Sequence, residues 1–419
     1  MTSEVIVMNK SGIALASDSA ATIMPNGKTF HAQNKIFPLS YQNPLGTMIH
    51  ERLRLNGVPW ETIIKSYAHE HGHTLFDHTE EQLHHFLQYI EDHPFLFSHE
   101  DPAFFWLCDI LTYLENLGYD IKNLWHHHQL SGNTYNTLNQ FAVEYLTEQI
   151  DRLKTRPISQ GFASSKKQST IKKALDSLDI TAMEQSFNIF ALSGTHLNLI
   201  KDLIYHLTIK DCFSFGYSRI ILAGFGKTEF LPTVASAKIG GLYLGHMKYR
   251  IEDVQKISNH NQSQIIPYAA TDMVSTFIKG VHPHYEDYSL SIYKNTLETL
   301  IHQHVKTDDK DALIERYFED YKKRMSKHIT TQHIKPVVEG IRFLPKMALA
   351  TVAESLVNFT SFKTSMLPGD NFVGGDTDVA LISKGDGFHW VKHKYGAQQK
   401  QHSDQYSESS DPANNIHRL

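Results

Sequence analysis

The chain has 419 residues, with 40 Lys plus Arg against 45 Asp plus Glu, so its formal net charge is −5. Hydrophobic residues make up 41% and aromatics 11%, which excludes a disordered chain, and the mild acidity argues against a nucleic-acid binder. Only two cysteines are present, Cys108 and Cys212, which excludes a disulfide framework and points to a reducing compartment.

The start, Met1-Thr2-Ser3-Glu4-Val5-Ile6-Val7-Met8, has neither a basic n-region nor a long apolar h-region, so no signal peptide is expected. No stretch approaches the length of apolar residues a membrane span needs, so the chain is expected to be cytoplasmic with no membrane partner. Val5–Met8 and Ile13–Ala16 are apolar runs joined by Asn9-Lys10-Ser11-Gly12, which predicts a β-hairpin. Lys35-Ile36-Phe37-Pro38-Leu39 predicts a third short strand.

From about Pro59 to His206 the periodicity is helical. Leu83, Phe86, Leu87 and Ile90 share one face, as do Leu138, Phe141, Ala142, Tyr145 and Leu146. The polar stretch Gly161–Lys173 reads as an exposed connection. Strand character returns at Arg219–Ala223 and again from Ala235 to Met247. Helices are expected over 267–281, 285–306, 312–328 and 346–359. Asp378–Ser383 then reads as a buried strand, and Lys384-Gly385-Asp386-Gly387 turns it into Phe388–Val391. From Gly396 the tail is rich in Gln, Ser and Asp and is expected to be disordered.

Removal of Met1 would make Thr2 the first residue. Its hydroxyl and its free α-amine would then sit on one residue, and the amine could serve as base for the hydroxyl. Four stretches extend this idea: Thr2-x-x-Val5 with Gly12–Asp18, the distance from Thr2 to Asp18, Asn34–Leu39, and Asp370-Asn371-Phe372-Val373-Gly374-Gly375 with the strand after it. Together they resemble the proteasome β-subunit group of N-terminal-nucleophile hydrolases. That group includes the bacterial two-ring protease that works with an ATP-driven unfoldase.

The resemblance implies a four-layer αββα sandwich, an α+β fold, with residues 1–58 and 207–395 as its core. A helical insertion would occupy 59–206, with the tail at 396–419. It implies hydrolysis of peptide or protein amides without a cofactor, a homo-oligomer, and an unfoldase as a partner. Thr2 would be the nucleophile, Lys35 an ammonium beside its amine, Asp18 the partner of Lys35, and Asp370 a hydrogen-bonding residue near the N-terminus. The chain departs from the group's pattern in three places. Val373 replaces a supporting serine, the oxyanion glycine falls at His50 or Glu51, and a second serine falls near Ala270-Thr271-Asp272. A non-catalytic assembly or binding subunit on the same fold is therefore an alternative.

The 27 histidines supply a rival. His69-Glu70-His71-Gly72-His73 contains H-E-x-x-H, which on a helix places His69 and His73 on one face for zinc with Glu70 as general base. Against it, Gly72 marks a helix end, and Phe76 and Thr79 stand where an extended zinc motif has Gly and His. His126–His128 and His282-Pro283-His284 read as surface or loop residues. Gly224-Phe225-Gly226-Lys227-Thr228 lacks phosphate-loop spacing and reads as a turn.

Overall fold

The structure is a computed structural model that describes residues 3–23, 28–30, 33–40, 43–93, 103–130, 137–178, 194–306, 309–366 and 374–394. Thr2, Asp370 and the expected tail at 396–419 lie outside the described residues. The chain mixes helices with several antiparallel sheets. Strands before the helical stretch are Glu4–Asn9 (β1), Gly12–Asp18 (β2), Ala21–Ile23 (β3), Lys28–Phe30 (β4), Ile36–Pro38 (β5), Leu45–Glu51 (β6), Arg54–Leu55 (β7) and Val58–Pro59 (β8). Those after it are Ser218–Gly224 (β9), Thr233–Tyr243 (β10), His246–Ile251 (β11), Gln255–Lys256 (β12), Ser263–Ala269 (β13), Thr377–Ser383 (β14) and Gly387–Lys392 (β15). Two compact units divide the chain: Met1–Met48, Ala223–Thr233 and Lys256–Leu419 form the first, Ile49–Leu222 and Val234–Gln255 the second.

The first unit is built on a five-stranded antiparallel sheet of order β13-β1-β2-β14-β15. The β1–β2 hairpin pairs Glu4 with Ser17 and Asn9 with Gly12. Side chains alternate across a strand, so Val5, Val7, Ala14, Ala16, Val379 and Leu381 share one face. That face packs against Leu349, Ala353, Leu356 and Val357 of the Lys346–Met366 helix. Ile6, Met8, Ile13, Leu15, Ala380 and Ile382 point the other way and are buried too. Coverage on both faces explains why these strands are unbroken apolar runs rather than alternating ones. A β-carbon at Gly46 of β6 would lie 2.8 Å from Phe388 Cδ2 and 2.9 Å from Ile382 Cδ1, so glycine permits that close approach.

The segment expected to be helical over 267–281 divides in two. Residues Ser263–Ala269 form β13 on β1, and the helix spans only Thr271–Lys279. Ala270, with φ 46°, breaks the direction between them in the left-handed region. Pro267 is tolerated because β13 lies at a sheet edge, opposite Val5 and next to a register shift.

The second unit holds helices Trp60–His71, Thr79–Asp92, Phe104–Leu130, Leu138–Lys154, Ser165–Asp176 and Gly194–Ile209. The Phe104–Leu130, Leu138–Lys154, Ser165–Asp176 and Gly194–Ile209 helices share a core that includes Trp106, Ile110, Leu114, Phe141, Leu146, Ile150, Ile171, Ile200, Leu203 and Leu207. Trp106 Nε1 donates to Thr208 Oγ1 at 3.0 Å, which satisfies the indole inside this core. The stretch read as an exposed connection at 161–173 is structured instead. A 3₁₀ turn covers Gln160–Phe162, and the Ser165–Asp176 helix buries Ile171 and Leu175. β10 and β11 form a hairpin closed by Leu244 and Gly245, with φ 53° and 77°, the pattern of a type I′ turn.

Candidate functional site

The antiparallel register decides what meets at the start of the chain. Glu4 pairs with Ser17, so Ser3 falls beside Asp18 at the end of β2. Ser3 N donates to Asp18 Oδ1 at 2.9 Å, and Asp18 N donates to Ser3 O at 3.1 Å. On the other side of β2, Thr377 of β14 pairs with Asp18, and this brings Gly374 N to Asp18 Oδ2 at 3.0 Å. Lys35, one residue before β5, places Nζ 2.8 Å from Asp18 Oδ1. One carboxylate therefore holds three segments far apart in sequence.

This site is dry. The side chains of Lys35 and Asp18 are 1% and 0% exposed. Removing both charges from water costs several kcal/mol each, so attraction and extra hydrogen bonds must offset it. Asp18 has that support, because its two oxygens accept three N–H groups. Lys35 does not: an ammonium has three donors, and among the described residues only Asp18 accepts from it. Ser3 Oγ and Asn34 Oδ1 are also buried and have no partner among the described residues. Buried polar groups are normally satisfied, so unmet donors and acceptors in two of the converging segments mark a place where chemistry or binding is due. Thr2 is bonded directly to Ser3; both it and Asp370 lie outside the described residues.

A second buried ion pair stands next to the first, and the sequence reading missed it. Lys394 Nζ lies 2.8 Å from Asp378 Oδ2 and donates to Gln33 O at 2.6 Å, while Lys394 N donates to Asp378 Oδ1 at 2.9 Å. Their side chains are only 5% and 4% exposed. The signal was an aspartate placed inside an otherwise apolar buried strand, since an acid there needs a partner.

Glu51 has φ 70°, a left-handed backbone that a non-glycine residue seldom adopts, and its carboxylate lies 3.1 Å from His50 Nε2. The bond to His50 holds the Glu51 carboxyl below its usual range. Of the two residues considered for a glycine position, Glu51 is the one with a glycine-like backbone. Thr271 and Asp272 open the Thr271–Lys279 helix.

His69 lies in the last turn of the Trp60–His71 helix, and His73 falls beyond its end, so H-E-x-x-H does not lie on one helical face. Glu70 accepts from Tyr89 Oη at 2.8 Å and from Ser66 Oγ at 3.1 Å, which also occupies the proposed general base. Among the described residues no group of three or more His, Cys, Asp or Glu side chains could hold a metal ion. Nor is any described helix long and apolar enough to cross a membrane. Cys212 is buried with Sγ 2.9 Å from Ser214 Oγ, and Cys108 is exposed.

No protein-family model matches the chain, and no curated protein matches it. Solved structures do, two of them as follows. The chain is similar to an Anbu (Gly-1) mutant from Hyphomicrobium sp. strain MC1, with 10% identity over 100% of this chain and 99% of that one and a TM-score of 0.26. It is also similar to Anbu (ancestral beta-subunit) from Yersinia bercovieri, with 10% identity over 99% of this chain and 100% of that one and a TM-score of 0.25. At that identity and TM-score the likeness assigns no chemistry; the geometry around Asp18 has to do so.

Proposed function

We propose that the protein is a threonine-type amide hydrolase whose nucleophile is Thr2, exposed by removal of Met1. The observation that carries this reading is the buried Lys35 ammonium, tied to the Asp18 carboxylate that also holds the amide of Ser3. A fully buried ammonium with one acceptor among the described residues, sharing that acceptor with the amide of the residue bonded to Thr2, is costly as scaffolding and useful as chemistry.

The steps follow from the groups present. The α-amine of Thr2 takes the hydroxyl proton as Thr2 Oγ attacks the substrate's carbonyl carbon. Lys35, positively charged nearby, disfavours a second positive charge on that amine and so keeps it available as base. A backbone N–H stabilises the oxyanion of the tetrahedral intermediate. Collapse breaks the C–N bond, the Thr2 ammonium returns its proton to the leaving amine, and an acyl ester remains. Water, deprotonated by the same amine, hydrolyses the ester to a free acid and regenerates Thr2. No cofactor takes part. Asp18 fixes Lys35, and the resemblance assigns Asp370 the part of a hydrogen-bonding residue near the N-terminus.

The substrate class is peptide or protein, and the active form is a soluble cytoplasmic homo-oligomer, with an ATP-driven unfoldase as a partner for folded substrates. The fold in this reading is a four-layer αββα sandwich with the helical stretch 59–206 as an insertion. Burial of both faces of the five-stranded sheet and the approach of Gly46 to Phe388 support stacked sheets. The test is turnover of fluorogenic peptide amides by the wild type and by Thr2→Ala. The wild type should turn over and Thr2→Ala should not; equal activity in the two removes Thr2 from the mechanism.

A further inference from the structure

We propose that Asp378 and Lys394 form a buried clamp that positions Lys35 for catalysis by holding the backbone of Gln33; the proposal deepens the Thr2 hydrolase reading and rests on it for its kinetic consequences. Lys394 Nζ donates to Gln33 O at 2.6 Å and is held in turn by Asp378 Oδ2 at 2.8 Å. Gln33 lies two residues before Lys35, and two residues of extended chain span at most about 7 Å, so fixing that carbonyl limits where Lys35 can stand. The opposite end of the lysine is fixed by Asp18 at 2.8 Å. Lys35 is thus anchored at its root and at its head.

Both anchors are built on β14. Thr377 pairs with Asp18, and Asp378, the next residue, pairs with Ser17 while holding Lys394. Lys394 itself arrives two residues after the end of β15, which returns along β14 through the Ser383–Gly387 turn. The same strand therefore sets the position of the Asp18 carboxylate and of the segment carrying its counter-ion. A buried pair that only closed a strand end could be replaced by apolar residues without loss. Here the pair spends a donor on the carbonyl of Gln33, a residue outside its own hairpin. Asp378 and Lys394 are positioning residues, acting through Lys35 rather than on substrate.

The test compares the wild type with Lys394→Met, with the doubly neutralised Asp378→Asn/Lys394→Met, and with the conservative Lys394→Arg. The double variant removes both charges, so it leaves no buried charge unpaired, whereas the single variant strands the Asp378 carboxylate. An ångström of misplacement in a catalytic group costs about 100-fold in rate. The expected loss in kcat for the Met variants is therefore about 10- to 100-fold, with KM changed by less than about threefold. The acidic limb of the pH–rate profile should move to higher pH, because the Thr2 amine loses the nearby positive charge. Lys394→Arg should recover most of kcat. A merely structural pair would lower the amplitude with the folded fraction and leave the limb in place, and that result overturns the proposal. If the wild type itself turns over no amide, the hydrolase reading fails, and the clamp is then judged by a crystal structure of the double variant. Withdrawal of Lys35 Nζ beyond about 4 Å from Asp18 upholds it, the ordinary limit for an ion pair. An unchanged Lys35–Asp18 contact overturns it.

Discussion

Replacing Asp18 by asparagine keeps the side chain's size and removes its charge. The carboxylate accepts from Ser3 N, Lys35 Nζ and Gly374 N, and both members of the Lys35–Asp18 pair are buried. An amide cannot accept at both ends, so at least one N–H meets the new NH₂ group and goes unsatisfied, at a cost of about 1–3 kcal/mol. Lys35 is left as a buried ammonium without a counter-ion, and breaking a buried pair in this way costs about 3–5 kcal/mol. The two costs share the same atoms and do not add, so the expected destabilisation is about 3–5 kcal/mol. Adding Lys35→Met removes the stranded charge. The double variant Asp18→Asn/Lys35→Met should therefore be more stable than Asp18→Asn alone, by about 2 kcal/mol. Native-state hydrogen exchange across β1, β2 and β14 gives opening free energies for this unit. A loss within about 0.5 kcal/mol for Asp18→Asn, or a double variant that loses the sum of the two singles, would refute the pairing energetics.

Two further outcomes concern the second unit. Lys248 is 1% exposed, donates to Leu207 O and lies with Nζ 5.4 Å from the centroid of the Phe213 ring; burial pushes its pKa down to about 7 from 10.5, against smaller upward effects of Cys212 and Asp211. Between those two pH values the unfolded chain binds a proton that the folded one does not, so this group's contribution to stability rises with pH across that window. Below about pH 7 both states are protonated and the full penalty applies, on the order of 5 kcal/mol. Urea unfolding of Lys248→Met should therefore show a variant more stable than the wild type at pH 7, with the advantage shrinking towards pH 10; a pH-independent difference contradicts the burial effect. At Gly161 a β-carbon would stand 1.8 Å from Met247 O, so Gly161→Ala has to shift backbone. Its expected cost is about 1–3 kcal/mol by the same urea assay, and a neutral result would mean the turn is free to move.

Much of the first unit is legible in the sequence because its strands obey one simple rule. Val5–Met8 and Ile13–Ala16 are apolar throughout, are joined by a turn ending in Gly12, and pair as that pattern predicts. The Ser165–Asp176 helix was hidden because only Ile171 and Leu175 mark its buried face, and a Lys- and Ser-rich surface outvotes two residues. Residues 267–269 misled in the opposite way: Pro267-Tyr268-Ala269 read as the start of the helix that follows, and pairing with β1 makes them the end of a strand. The resemblance to the proteasome β-subunit group, not composition or periodicity, implied that Asp18 partners Lys35, and the two stand 2.8 Å apart. The Asp378–Lys394–Gln33 contact was not legible, because its acceptor is a backbone carbonyl brought there from the other end of the chain.

The central claim is that Thr2 is the nucleophile, and one intact-mass experiment addresses it directly. The purified full chain is weighed before and after reaction with a β-lactone that acylates hydroxyl nucleophiles, and the adduct is placed by peptide mapping. The account predicts a chain lacking Met1 that takes up one acyl group on Thr2. A chain that retains Met1, or an adduct at any other residue, would contradict it.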